Sequence, residues 1–122
     1  NSGDLWSLLP AEIQLKAEPV TKMTDNKGGG SAGTPSATTD KVFILSSTEV
    51  WGNLLSDGAQ YEYYKSKGVT TSSYSGASSN HSHWTRSVRL SGPTGFRCVY
   101  YNGAWDYGDA TVTACVFPAW CF

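Results

Sequence analysis

This chain has little charge and no long apolar run. Charged residues make up 16% of it. No hydrophobic stretch approaches the ~20 residues that a membrane-crossing helix requires, so membrane insertion is not expected. There is no basic excess either. Nine Lys and Arg stand against ten Asp and Glu, a net charge of −1, which argues against a nucleic-acid surface. The three arginines, Arg86, Arg89 and Arg97, fall close together, but Asp106 and Asp109 follow them and no basic stripe results. Cysteine is scarce and odd in number: Cys98, Cys115 and Cys121. They form no C-x-x-C pair for zinc or redox work and no complete disulfide framework. Two readings stay open for them, buried small hydrophobes or one disulfide. Catalytic signatures are also missing. Serine is too abundant for a triad to be informative, and there is no G-x-S-x-G elbow. The run Gly28-Gly29-Gly30-Ser31-Ala32-Gly33 lacks the Gly-Lys-Ser/Thr of a phosphate loop. No repeat of 20–50 residues is present. A non-enzymatic protein without a cofactor is the expectation.

What the chain does have is aromatic residues, 13% of the total, with five Trp and seven Tyr. Many rings and few charges suit an aromatic core, or a surface that binds through Tyr and Trp. At 122 residues the chain is one domain that can bury roughly two-thirds of its unfolded surface. It begins at Asn1 rather than Met, which predicts the C-terminal part of a larger protein.

Residues 84–122 organise the rest. Val99-Tyr100-Tyr101-Asn102-Gly103-Ala104-Trp105 places Asn-Gly between aromatic runs, the strongest short-range hairpin signal. The closing Cys115-Val116-Phe117-Pro118-Ala119-Trp120-Cys121-Phe122 reads as strand, with Pro118 at a bulge or edge. Upstream, residues 4–17 read as helical with Pro10 in a first turn, and residues 20–23 as a short strand. Residues 24–40, rich in Gly, Ser and Thr, read as a flexible loop inside the domain. Val42-Phe43-Ile44-Leu45 has the pattern of a buried strand. Ser46 with Glu49 forms a capping box that starts a short helix, stopping at Gly52. Residues 59–67 predict another helix ending at Gly68, and residues 69–82 a loop. The fold class is therefore α+β, with short helices packed on a twisted, mainly antiparallel sheet and long loops.

Taken in order, F-I-L-S-x-x-E-V-x-G at residues 43–52, Tyr61-Glu62-Tyr63-Tyr64-Lys65, Trp84-Thr85-Arg86-Ser87 and the closing Val116 to Phe122 run form a pattern. It resembles an uncharacterised domain family of Firmicutes and their phages. Leu9-Pro10-Ala11-Glu12-Ile13-Gln14 and Pro19-Val20-Thr21-Lys22 are similar to that family's first helix and strand. Thr85 and Phe117 depart from it, standing where the family has Leu and Arg. Those domains resemble the C-type lectin fold in its formylglycine-generating-enzyme-like form. The resemblance implies a ligand-binding or display module of a phage or bacterial surface protein, such as a retroelement-diversified variable protein that binds a receptor. The partner would be a protein or glycan on a cell surface, and the location a virion or the extracellular surface. A homo-oligomer is compatible with that reading, and the alternatives are a structural accessory domain of a virion or cell-surface assembly and calcium-independent carbohydrate binding. The enzymes of this fold use paired cysteines, whereas those here sit in strand-like apolar runs. Its calcium-dependent lectins need an oxygen set that Glu18-Pro19-Val20 and Trp105-Asp106-Tyr107 only echo.

The candidate residues follow. His81-Ser82-His83 with Asp106 or Asp109 could ligate a metal, but two polar-loop histidines are the simpler reading, and no metal site is assigned. Glu49 and Arg86 are expected to form a scaffold ion pair, because a buried guanidinium needs a planar acceptor. Trp84, Gly103 and Pro118 are further scaffold positions. A two-residue turn at Asn102-Gly103 would pair Tyr101 with Ala104, Tyr100 with Trp105, Val99 with Asp106 and Cys98 with Tyr107. Cys98, Tyr100, Trp105 and Tyr107 then share one face; by apolar count that face would fill the core, whereas the resemblance turns Val99 inward and leaves Tyr100, Trp105 and Tyr107 outside as the ligand surface, with His83, Arg89 and Asp109 at its rim.

Overall fold

The structure is a computed structural model that describes residues 4–25, 33–52, 55, 57–89, 94–109, 111 and 113–122. Short helices accompany two small antiparallel sheets, a mixed α+β architecture. Two helices open the described chain, α1 at Asp4–Leu8 and α2 at Ala11–Lys16. The single helix expected over residues 4–17 is broken because Pro10 holds an extended ψ of 144° as the N-cap of α2, and a residue before proline avoids the helical region. Strand β1 (Val20–Thr24) pairs with β2 (Ser36–Asp40) in full register from Val20 opposite Asp40 to Thr24 opposite Ser36. Residues 36–40, read from composition as loop, are thus a strand. Their threonines suit a pleated ribbon, and Thr21 and Thr39 hydrogen-bond across it at 2.9 Å. Residues 26–32, the Gly-rich part of that expected loop, lie outside the described residues.

Helix α3 (Ser47–Trp51) sits at the centre, and all five of its residues are buried. Its start is the capping box read from the sequence. The Ser46 hydroxyl accepts from the Glu49 N–H at 3.1 Å, and the Glu49 carboxylate accepts from the Ser46 N–H at 2.8 Å. Gly52 ends it at φ +75°. Val50 and Trp51 join Val69, Ala77 and Val99 in the apolar core, flanked by Leu45, Tyr64 and Tyr74. Helix α4 (Glu62–Ser66) is shorter than the expected 59–67. Tyr61 N–H is spent on the Glu49 carbonyl and the Gln60 amide on the carbonyls of Val50 and Val69, which holds 60–61 against α3 instead of in a helical turn.

The second sheet has the order β3 (His83–Val88), β4 (Gly95–Val99), β5 (Trp105–Asp109). A bulge between Trp84 and Val88 opens the β3–β4 ladder. Thr85 Oγ1 fills the gap by donating to the Arg97 carbonyl at 2.8 Å. Arg86 is released to bond elsewhere, its N–H donating to the Leu45 carbonyl.

The C-terminal run is not the strand it resembles. It makes isolated bridges to three separate partners: Cys115 with His83, Ala119 with Phe43, and Cys121 with Glu18. Pro118, which has no N–H, interrupts any continuous ladder. Val42-Phe43, buried as expected, likewise forms a single bridge rather than a strand. Of the cysteines only Cys98 is buried; Cys115 and Cys121 are exposed, and all three are free thiols.

The expected ion pair forms and joins several segments of the fold. Arg86 meets Glu49 in a two-pronged contact, Nη1 to Oε2 at 2.7 Å and Nη2 to Oε1 at 2.6 Å, with 9% and 3% of the two side chains exposed. The same guanidinium donates to the carbonyls of Ile44 (3.0 Å), Met23 (2.9 Å) and Asp57 (3.1 Å). One side chain therefore ties β1, the Phe43–Ile44 segment, α3 and the 57 loop to β3. Arg86→Met should cost about 3–5 kcal/mol, because it leaves a buried carboxylate without its partner. Urea unfolding of the two proteins checks this, and a difference below about 1 kcal/mol would deny the clamp its role.

Candidate functional site

The β4–β5 hairpin is built from its turn. Gly103 N–H donates to the Tyr100 carbonyl, and Tyr100 N–H donates to the Ala104 carbonyl, each at 2.8 Å. Residues 100–104 thus form a longer loop than the expected two-residue turn. The cause lies outside the hairpin. Gly103 sits at φ +91°, where a Cβ would lie 2.0 Å from the Tyr74 carbonyl oxygen. Its own carbonyl accepts the Trp51 indole N–H at 3.0 Å. The tip is pressed into the 3₁₀ turn Ser75–Ala77 and onto α3, and only glycine permits both that approach and that φ.

The longer turn shifts the register by one residue. Val99 lies opposite Trp105, Arg97 opposite Tyr107, and Gly95 opposite Asp109. The pairing expected from Asn102-Gly103 is corrected accordingly, and a slip of one residue exchanges faces. Val99, Arg97 and Gly95 share the face of Trp105, Tyr107 and Asp109, while Cys98 and Phe96 share the other with Asp106 and Gly108.

Trp105 and Tyr107 are nevertheless exposed, 38% and 41%, although Val99 on their face is 1% exposed. β5 is the sheet edge, and what lies against its rings is guanidinium rather than core. Arg97 stands 4.4 Å from the Trp105 ring centre and Arg89 3.5 Å from that of Tyr107. Gly95 makes room for the second contact, since a Cβ there would fall 2.8 Å from Arg89 Cδ. Such cation–π stacking holds each ring by about 0.5–1 kcal/mol at an exposed site while leaving its other side free. Burial lowers the pKa of Arg97, and the neighbouring carboxylate of Asp57 opposes that shift. Arg97 Nε and Nη1 are buried without an acceptor among the described residues.

The other expected members distribute differently. Tyr100 is 41% exposed but belongs to the turn, its ring 4.5 Å from that of Tyr101. Asp109 is exposed at the far end of β5, accepting from Thr94 Oγ1 at 2.9 Å. His83 is not on the rim. It is buried opposite Val99 and stacked on Phe117 with ring centres 4.0 Å apart, which also removes it from any ligand set with His81. Trp84 is half-buried, and its N–H donates to the Cys115 carbonyl. Sequence reading missed Arg97 and Gly95. Their alternation with Val99 was visible, but assigning them to the aromatic face required the register that the packing of Gly103 sets.

One comparison with known proteins decides the family, matching residues 2–121. The chain belongs to the family described as Domain of unknown function (DUF6273). Neither a curated protein nor a solved structure matches it. In this DUF6273 domain no group of three or more His, Cys, Asp or Glu could hold a metal ion among the described residues, and no described helix is long and apolar enough to cross a membrane.

Two outcomes follow from this geometry. Gly103→Ala should destabilise the domain by more than about 1 kcal/mol, through both φ and the Tyr74 clash, and thermal melting reads it. Burial also pushes the His83 pKa below its ordinary 6.5, with the His81 carbonyl acting in the opposite direction. The unfolded chain then takes up the proton first as pH falls. The stability His83 confers is complete above 6.5 and declines below it. His83→Gln should flatten that acid limb in unfolding curves measured across it; an unchanged slope would show that His83 does not set it.

Proposed function

We propose that this domain is a non-enzymatic recognition module of C-type-lectin-like fold, carried by a phage or bacterial surface protein. It engages a protein or glycan receptor on a cell surface through the β5 edge. The observation that carries this reading is the pair of rings, Trp105 and Tyr107, held outward on the guanidinium groups of Arg97 and Arg89. Tyr and Trp supply large contact area at low entropy cost, and rings already fixed in place lose less freedom on binding. Short helices, two small antiparallel sheets and long connections are the content expected of that fold.

Several features of β5 fit recognition by side chains rather than by strand addition. Asp106 Oδ1 accepts the Tyr107 N–H at 2.8 Å, occupying one backbone donor of the strand. Asp109 and Tyr100 extend the exposed surface at its two ends. A domain of this kind could display variable residues here, as retroelement-diversified receptor-binding proteins do, because none of these side chains belongs to the core cluster.

The test is binding of the labelled domain to intact bacterial cells and to immobilised surface glycans. Trp105→Ala should weaken binding by about 2 kcal/mol, roughly thirtyfold, while the loss of its contact with Arg97 lowers the melting temperature by no more than a few degrees. Full binding by that variant would remove the β5 edge from the recognition surface and favour an accessory domain that contacts only its own assembly.

A further inference from the structure

A second concave surface lies between helix α4 and the C-terminal segment. It has two parts, of about 310 and 540 Å³, which share Leu45, Tyr63, Tyr64, Pro118 and Ala119. Nothing local in the sequence marks it, because its two walls, α4 and residues 117–121, are more than fifty residues apart. Phe117, backed by the His83 ring, lines the first part, and Trp120 the second.

The lining is aromatic but not inert. Lys67 Nζ occupies the Tyr63 hydroxyl at 2.8 Å. The hydroxyls of Tyr61 and Tyr64, by contrast, make no hydrogen bond among the described residues, and neither does the Trp120 indole N–H. Burial raises the pKa of both phenols, that of Tyr61 to about 12 with the Glu49 carboxylate contributing. Both therefore stay protonated and can donate as well as accept.

Charge narrows the occupant. No Lys or Arg lines either part among the described residues, and the single carboxylate, Glu62, is already paired with Lys65 at 3.2 Å. Lys67 stands at the rim with its ammonium on the Tyr63 ring and hydroxyl, so an anionic ligand finds no counter-charge within the lining itself. The end lined by Ser78, Ser79 and His83 is polar, where an extended proline-rich peptide would want further apolar slots. A ligand with apolar ring faces and a rim of hydroxyls matches both the stacking surface and the free phenols.

We propose that the groove between α4 and residues 117–121 binds a neutral saccharide, stacked on its aromatic rings and hydrogen-bonded by the Tyr61 and Tyr64 hydroxyls. This site is separate from the β5 edge and stands or falls without it. The experiment is an NMR titration of the whole chain with maltose, cellobiose, lactose and diacetylchitobiose at millimolar concentrations. At least one sugar should shift amides of α4 and of residues 117–121. Tyr64→Phe and Tyr61→Phe, which keep ring and packing, should each weaken it by about tenfold, whereas Trp105→Ala should leave it unchanged. The proposal is overturned if no sugar shifts the groove, if both phenylalanine variants bind like the parent, or if a proline-rich peptide binds there and the sugars do not.

Discussion

A guanidinium taken out of water must recover several kcal/mol of lost hydration from whatever surrounds it. Arg86 does so by facing a carboxylate and three backbone carbonyls at once, and each comes from a different part of the chain. The geometry is demanding on both sides. Glu49 can receive the guanidinium only because α3 begins where it does, and α3 begins there because the same carboxylate caps it from Ser46. Arg86 can reach Glu49 only because the bulge in β3 turns it away from the β4 ladder. Cap, bulge and ion pair are thus one arrangement, and losing any member leaves the others with unmet polar groups.

The interior around this point is polar. Ser46, Ser47, Thr48, Asp57, Thr85 and Ser87 are all buried beside a small apolar cluster. Ser87 Oγ accepts from the Ser47 N–H and donates to Asp57, linking β3 to the start of α3 and to the loop that follows it. Hydrogen bonds of this kind contribute about 1 kcal/mol each but cost more when broken singly, so such a core specifies one arrangement more strongly than it adds stability. A chain with short helices and isolated bridges gains uniqueness of structure from that specification.

How far the sequence could be read follows the range of each determinant. The Ser46–Glu49 capping box is local, three residues apart, and was legible with its helix and its stop at Gly52. The ion pair was legible because a buried guanidinium needs a planar acceptor, and Glu49 lies in the first turn of the helix that the capping box starts. The hairpin register was not. Asn102-Gly103 signals a tight turn by itself, but the Tyr74 carbonyl and the Trp51 indole fix Gly103 from across the fold. The same holds for the C-terminal run, whose strand-like composition is met by single bridges to three distant segments, and for β2, whose Ser and Thr looked like loop until β1 offered a partner. In the site itself, the exposed rings were legible as types, and their guanidinium backing was not.

The division of labour between these regions carries a consequence for function. Residues that cannot change without cost, Glu49, Arg86, Ser46 and Gly103, lie in the buried network or at the docked turn. Trp105, Tyr107, Tyr100 and Asp109 lie outside the core cluster, on an edge strand and its turn. Substitution of an exposed side chain away from such networks usually changes stability by no more than about 0.5 kcal/mol. Arg97 is the exception, because it is half-buried while supporting an exposed ring. It therefore limits how freely the edge can vary: Trp105 can be exchanged for another side chain only where the new group still covers the guanidinium or leaves it a path to water. The exposed edge is in this way constrained from beneath, at one position, by the charge that holds Trp105 in place.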